Sequence, residues 1–386
     1  MPAYWFFRAE NEQHRRLCCF LFWRRTMKTV GILGGGQLGM MLAEEIHKLN
    51  AKAVCLDPDA KCPASYTCDA VIVSAYDDLS GLQQLGRSSD VITYEFENIP
   101  SEQLQYLKGN FNLKQGISPL YDSQNRIREK ELAKKYGLNP PEFYPISSLD
   151  ELKKGIDKLG YPCIYKTATL GYDGHGQVIL YEKSDIQRVV PYFKQDGILE
   201  QFIEFDFETS IIMIRSEKQW ISFPMTVNIH KQGILDVVVA GEKKDIFARI
   251  AKDAKSFMEQ AGYYGILTIE FFVKGEQYYF NEMAPRPHNS GHYTLEACTT
   301  NQYRELAKYL LDLPLEQPKL IAPAIMKNIL GKDYGNILNV RKASNIHIHM
   351  YHKEEVRPYR KMGHITFTKT SLDEYNKNFK SKFCEE

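Results

Sequence analysis

The sequence has almost no imbalance of charge: 49 Lys and Arg stand against 48 Asp and Glu, a formal net charge of +1. That balance argues against a generally basic nucleic-acid binder, so anion binding has to come from local clusters. Long apolar runs are missing too. The apolar piece LCCFLFW at 17–23 is shorter than a membrane span requires and has arginines on both sides. It also lacks the small-residue cleavage site of an export signal. Eight cysteines are present, yet no CxxC pair and no Cys/His zinc spacing occurs. Scattered thiols without an export signal read as a reduced, cytoplasmic protein with no membrane or nucleic-acid partner. No repeat period and no low-complexity segment is visible. At 386 residues, 44% hydrophobic and 25% charged, the chain is long enough for two or three domains with their own cores.

Residues 1–26 are aromatic and basic and precede Met27, which looks like a natural start before a first strand; they read as an extension outside the fold. From Met27 the strand-like runs TVGILGG, KAVCLD, DAVIVSA and DVITYEFE alternate with helical segments. Short apolar strands alternating with helices indicate a parallel sheet in a Rossmann-like domain, expected over 27–123. A helix is expected over 123–137, after which the prolines of NPPEFYPI mark a boundary. Further strands are expected at 161–168, 177–181, 197–205 and 208–216, with helices near 184–194 and in KDIFARIAKDAKSFMEQAG. Two alternating strands, NIHIHMYH and GHITFTKT, close the chain, with Ile346, Ile348 and Met350 on one face.

The stretch ILTIEFFVKGEQYYFNEMAPRPHNSGH (266–292) carries the densest chemistry. Strands at 266–273 and 278–283 flank a Gly-containing connector that reads as a hairpin. Folding about Gly275 brings Glu270 opposite Asn281 and Glu282, with side chains about 5 Å apart across the pair. Converging carboxylates repel unless a cation lies between them, and oxygen ligands suit Mg²⁺ accompanying nucleotide phosphates. The chain then presents Arg286, His288, Asn289, Ser290 and His292 at the strand exit.

Four other groups stand out. Gly34, Gly36 and Gly39 form GxGxxG at the first strand–helix turn, with Asp57 ending the next strand, which taken alone points to an NAD-dependent oxidoreductase. Lys166 ends a strand before LGYDGHGQ, whose glycines exceed what a hairpin needs and suit a phosphate lid. Glu200, Gln201, Phe202 and Ile203 can face an adenine, with Glu208 placed to take ribose hydroxyls; an ordinary amphipathic strand reads the same way. Lys353, Arg357, Arg360 and Lys361 form a local cationic loop, either solvated or clamped on an anion.

Five of these segments, GGGQLGMM, TYEFENIP, GYDGHGQ, NEMAPRPHNSGH and RPYRKMGH, occur in one order between Met27 and about residue 370. Together they resemble the ATP-grasp superfamily and, within it, the 5-(carboxyamino)imidazole ribonucleotide synthase family. The resemblance implies a Rossmann-like domain, an ATP-grasp domain over 124–325 with a lid subdomain at about 147–207, and a small β-rich C-terminal domain over 326–386. It implies ATP contacts at Arg126, Lys166, Gly171, Tyr172, Asp173, Gly174, His175, Gly176, Gln177, Glu200, Gln201, Phe202, Ile203, Glu208, His230, Asn281 and Glu282. Glu270 and Glu282 would hold Mg²⁺, or Mn²⁺ in its place. Gln37, Leu38, Glu97, Arg286, His288, Asn289, Ser290, Lys353 and Arg360 would hold the acceptor, aminoimidazole ribonucleotide. Lys166, Tyr172, Asp173, Arg286 and Lys353 would serve the reacting centre, where ATP and bicarbonate give carboxyphosphate. A homodimer is implied as well. The competing readings are a formate-using glycinamide ribonucleotide transformylase, the oxidoreductase, and a non-catalytic nucleotide-binding module.

Overall fold

Four short aliphatic segments, β1 (Thr29–Leu33), β2 (Lys52–Asp57), β3 (Ala70–Val73) and β4 (Val91–Tyr94), pair in parallel in the order β3-β2-β1-β4. The computed structural model describes residues 27–169, 171, 176–340 and 343–382, the side chains of 336, 338, 339 and 382 aside; the extension expected at 1–26 lies outside them. Parallel neighbours need crossovers, supplied by α1 (Gln37–Lys48) between β1 and β2 and α2 (Leu79–Arg87) between β3 and β4. The fourth strand stops short of its expected end at 97. After Tyr94 the chain bends so that the Glu95 carboxylate accepts hydrogen bonds from Gly36 N at 2.6 Å and Gly39 N at 3.3 Å. Gly34 makes room for it: φ is 106° there, and a Cβ would lie 2.7 Å from the carboxylate.

The helix expected over 123–137 is divided. Ser118–Ser123 ends one helix, and α3 (Arg126–Lys135) starts anew because the Asn125 side chain caps Ile127 N and Arg128 N. Beyond it β5 (Phe143–Ile146), β6 (Cys163–Thr167), β7 (Gln177–Leu180) and β8 (Gly197–Gln201) form an antiparallel sheet ordered β5-β8-β6-β7. Helix α4 (Leu149–Leu159) buries Leu152 and Ile156 against Tyr165 and Leu199 of this sheet. The helix expected near 184–194 breaks into single turns, Lys183–Asp185, Ile186–Val189 and Val190–Tyr192, where Pro191 has no N–H to continue it.

The remaining strands make one sheet: β9 (Phe207–Arg215), β10 (Trp220–Ser222), β11 (Thr226–Lys231), β12 (Ile234–Ala240), β13 (Gly265–Lys274), β14 (Gln277–Ala284), β15 (Ala324–Leu330), β16 (Ile346–Met350) and β17 (Lys361–Thr368). Their order is β14-β13-β9-β11-β12-β15-β17-β16, with β10 on β9. The C-terminal strands therefore extend the central sheet through the β12–β15 pair instead of closing a sheet of their own. Ile346, Ile348 and Met350 share the face that packs on Ile325, Ile365 and Phe367. Helix α5 (Ile246–Gln260) sets Ile250, Phe257 and Met258 against Ile269, Phe271 and Phe280. Helix α6 (Gln302–Leu310) joins the two sheets, placing Tyr303, Leu306 and Leu310 in one core with Met41 of α1 and Ile214 and Ile266 of the central sheet.

Burial raises the Glu95 carboxyl above its ordinary range, with the Gly36 amide opposing. Glu95→Ala leaves both glycine amides without an acceptor and is expected to cost about 1–3 kcal/mol in urea unfolding. Glu95→Gln keeps an acceptor and is expected to lose less than half as much; equal losses would refute the capping role.

Candidate active site

At the glycine turn the anion is the protein's own. Asp57 Oδ2 accepts from Gly35 N at 2.8 Å and from Tyr76 Oη at 2.7 Å, while Glu95 takes Gly36 and Gly39. The acid that would have held a ribose hydroxyl instead holds the turn, and a second carboxylate stands where a pyrophosphate would sit. This corrects the oxidoreductase reading. Gln37 and Leu38 lie in the first turn of α1, just beyond.

A buried charge cluster forms where α3, β6 and β8 meet. Lys166 Nζ lies 2.9 Å from Glu200 Oε2, and Lys130 Nζ lies 3.4 Å from Glu200 Oε1. Glu200 and Lys130 side chains are each only 1% exposed, so Glu200 is not the solvent-facing acid of an ordinary amphipathic strand. Burial pushes the Glu200 carboxyl up, but the charges of Lys130 and Lys166 outweigh it and hold it below its usual range. Burial likewise lowers the Lys130 ammonium, against the pull of Glu200. Lys130 also donates to Asn281 O at 2.9 Å, tying α3 to β14. Sequence reasoning missed Lys130; its position one turn after Arg126, on the same helix face, was the available signal.

Arg126 reaches two groups at once: Glu282 Oε2 at 3.1 Å and Gly171 O at 3.4 Å. Tyr172, Asp173, Gly174 and His175 lie outside the described residues. After them, Gly176 O accepts from Thr167 N at 2.8 Å, and Gln177 pairs in register with Lys166. Beyond β8, Phe202 and Ile203 leave the sheet; the strand ends at Gln201, short of the expected 205. Glu208 of β9 forms an ion pair with His230 of β11. Burial opposes the charge on His230, but Glu208, Glu270 and Glu282 together raise its pKa above the ordinary value.

Glu270 and Glu282 are register partners across the β13–β14 hairpin, followed by a bulge at Phe271. Glu270 is buried, and burial together with the charge of Glu282 pushes its carboxyl up to about 8. Glu282 is 43% exposed; the Arg126 charge overcomes burial and holds it low. Two facing carboxylates at this spacing suit a cation held between them. Among the described residues no group of three or more His, Cys, Asp or Glu could hold a metal by itself. The pair thus offers two oxygens, leaving the other positions to phosphates and water, which is the habit of Mg²⁺.

The other half of the cleft is built by the loop after β14. Arg286 Nε lies 2.9 Å from Glu97 Oε1. His288 has Nε2 at 3.5 Å from Glu270 Oε1 and Nδ1 at 2.8 Å from Ser290 Oγ; burial, then the Arg286 charge, keep the ring neutral. Ser290 Oγ also accepts from Ser210 Oγ at 2.7 Å, and Asn289 pairs its amide with Asn328 at 3.0 Å. His292, expected beside them, is instead fully buried, bonded to Tyr303 Oη at 2.8 Å and stacked on His364 at 4.6 Å. An apolar, aromatic neighbourhood takes it out of the anion-binding run. In the tail loop Lys353 Nζ donates to Lys361 O at 2.9 Å, Arg360 Nη1 to Glu355 O at 3.0 Å, and Arg357 pairs with Glu355 at 2.6 Å.

Residues 27–119 match the ribonucleotide synthetase preATP-grasp domain, 131–303 the ATP-grasp domain and 324–378 the phosphoribosylaminoimidazole carboxylase C-terminal domain. The N5-carboxyaminoimidazole ribonucleotide synthase of Staphylococcus haemolyticus is 39% identical over 362 residues, covering 92% of this chain and 96% of its own length. The chain belongs to the N5-carboxyaminoimidazole ribonucleotide synthase family of ATP-grasp enzymes. A synthetase of this family from Staphylococcus aureus, solved with ADP, is similar with a TM-score of 0.89 at 36% identity, covering 92% of this chain and 97% of that one. A member from Aspergillus clavatus, solved with ADP and 5-aminoimidazole ribonucleotide, gives a TM-score of 0.84 at 27% identity with the same coverage.

Glu270, raised to about 8, favours its protonated form in the metal-free fold. Its contribution to stability is therefore full below the ordinary carboxylate range and is lost as pH rises through about 8. The thermal midpoint of metal-free protein is expected to fall over that window, and Glu270→Gln to lessen the fall, the remainder coming from the buried Glu129 carboxyl, which burial also raises to about 8. An unchanged slope in the variant would refute the assignment.

Proposed function

We propose that the protein carboxylates 5-aminoimidazole ribonucleotide with bicarbonate and ATP, giving 5-(carboxyamino)imidazole ribonucleotide, ADP and phosphate in de novo purine biosynthesis. The observation that carries this reading is two adjoining groups of charged and polar side chains, joined where His288 Nε2 lies 3.5 Å from Glu270 Oε1. The Lys166–Glu200 and Glu270–Glu282 groups form one side, and the Arg286–Glu97 pair with the His288–Ser290 loop forms the other.

Phosphoryl transfer from ATP to bicarbonate asks for positioning and charge neutralisation more than covalent catalysis. Lys166 and Arg126 supply fixed positive charge on the nucleotide side. Glu200 keeps Lys166 in place, and Gln201, Phe202 and Ile203 receive the base while Glu208 and His230 meet the ribose. Glu270 and Glu282, with Asn281 beside them, would hold Mg²⁺ or Mn²⁺, which would supply charge neutralisation at the phosphates. Arg286, His288, Asn289, Ser290, Lys353 and Arg360 orient the ribonucleotide, with Gln37, Leu38 and Glu97 at the N-terminal side. The exocyclic amine then takes the carboxyl group from carboxyphosphate, which hydrolyses readily. A lid over 171–177, carrying Tyr172 and Asp173 to the reacting centre, protects it from water. A cytoplasmic homodimer, divided near 123 and 325, completes the proposal. No helix among the described residues is long and apolar enough to cross a membrane.

The formate-using alternative loses ground to the C-terminal match at 324–378, whose description names aminoimidazole chemistry. ADP release tests the choice. It is expected to require bicarbonate and to rise when aminoimidazole ribonucleotide is added. Release that ignores both, or turnover only with glycinamide ribonucleotide and formate, would contradict the proposal.

A further inference from the structure

Lys353 sits on a loop between β16 and β17, yet the residues on either side of it are gripped by the N-terminal domain. The His352 ring stacks on Tyr66 with centroids 4.6 Å apart and planes 27° from parallel. Glu354 Oε1 accepts from Lys61 Nζ at 2.8 Å. Lys61 and Tyr66 belong to one short segment between β2 and β3, which ends in the turn Pro63–Tyr66. That segment is in turn fixed to the glycine turn: Ala64 N donates to Gly35 O at 2.8 Å.

His352 has φ 52°, a left-handed conformation that a non-glycine residue adopts when its surroundings require it. The consequence is an alternation of environment: His352 and Glu354 are exposed and face Tyr66 and Lys61, while Lys353 between them is half-buried. Its Nζ lies 5.6 Å from the Tyr351 ring centre. The far end of the loop is held separately, by Gly331 N on Arg360 O and Lys332 N on Pro358 O, both at 3.0 Å. The two contacts at 352 and 354 therefore act on the Lys353 end alone.

We propose that Lys61, Tyr66, His352 and Glu354 form an interdomain clasp that positions Lys353 for the acceptor ribonucleotide. The proposal rests on the reading of Lys353 as an acceptor-side cation. A loop fixed before the ligand arrives loses less conformational freedom on binding, so the clasp shows itself as acceptor affinity. All four side chains lie at the surface or its edge, and none of them belongs to either half of the cleft. Turnover with saturating acceptor and the affinity for ATP are accordingly independent of the clasp.

The test is ADP release at saturating Mg²⁺-ATP and bicarbonate, titrated with aminoimidazole ribonucleotide. Lys61→Glu and Glu354→Lys are each expected to raise the acceptor KM about fivefold, the upper range for one exposed ion pair. The exchanged pair, carrying both substitutions, is expected to return close to the starting KM. Tyr66→Ala is expected to raise the acceptor KM about threefold, the scale of one ring stack, while kcat and the KM for ATP stay unchanged in every variant. Unaltered acceptor KM in the single variants, or failure of the exchanged pair to restore it, would overturn the clasp. Lys353→Ala separates the two levels. Normal acceptor KM in that variant removes the reading of Lys353 and the clasp with it, whereas a large rise there beside normal clasp variants removes the clasp alone.

Discussion

A carboxylate removed from water must find its counter-charges within the protein, and Glu200 finds two, Lys130 and Lys166. Each ammonium comes from a different element, so the requirement fixes α3 against the β5-β8-β6-β7 sheet. Lys130 then passes the constraint on through Asn281 O to β14, the strand that carries Glu282. Removing one partner of such a cluster typically costs about 3–5 kcal/mol because a buried charge is left alone. This part of the site is thus organised around a single acid.

The charges across the cleft are graded, not merely present. Arg126 holds Glu282 ionised, while the facing Glu270 is pushed towards its neutral form by burial and by its neighbour. Glu97 meets Arg286, and His288 is kept neutral between Glu270 and Ser290. A cation added between the two hairpin carboxylates would relieve their mutual repulsion. The glycine turn is the opposite case, because Asp57 and Glu95 satisfy three of its amides before any ligand arrives.

The hairpin at the centre of the site was legible to within one residue: counting outward from the Gly275–Glu276 turn brings Glu270 to Asn281, and the bulge beside Phe271, which moves it on to Glu282, has no local signal. The place of Lys166 near the end of a strand was legible for a similar local reason. Glu95 was not: inside DVITYEFE it reads as strand, and only the pairing with glycines 59 and 56 residues away ends β4 early. Lys130 hides in a helix rich in charge, where its place one turn after Arg126 is the one local sign that separates it from a solvated lysine. His292 looked like part of the polar loop because its burial depends on Tyr303 and on His364 of the distant β17. The joining of the C-terminal strands to the central sheet is likewise a tertiary choice, made by β12 and β15 across the 236–327 region.

The central claim is that Glu270 and Glu282 together take a divalent cation brought by the nucleotide. Anomalous diffraction from crystals grown with Mn²⁺ and ADP tests it most directly. The account predicts one strong peak at ligand distance, about 2.0–2.2 Å, from a carboxylate oxygen of each residue. A peak held by phosphate and water alone, or by other side chains, would contradict it.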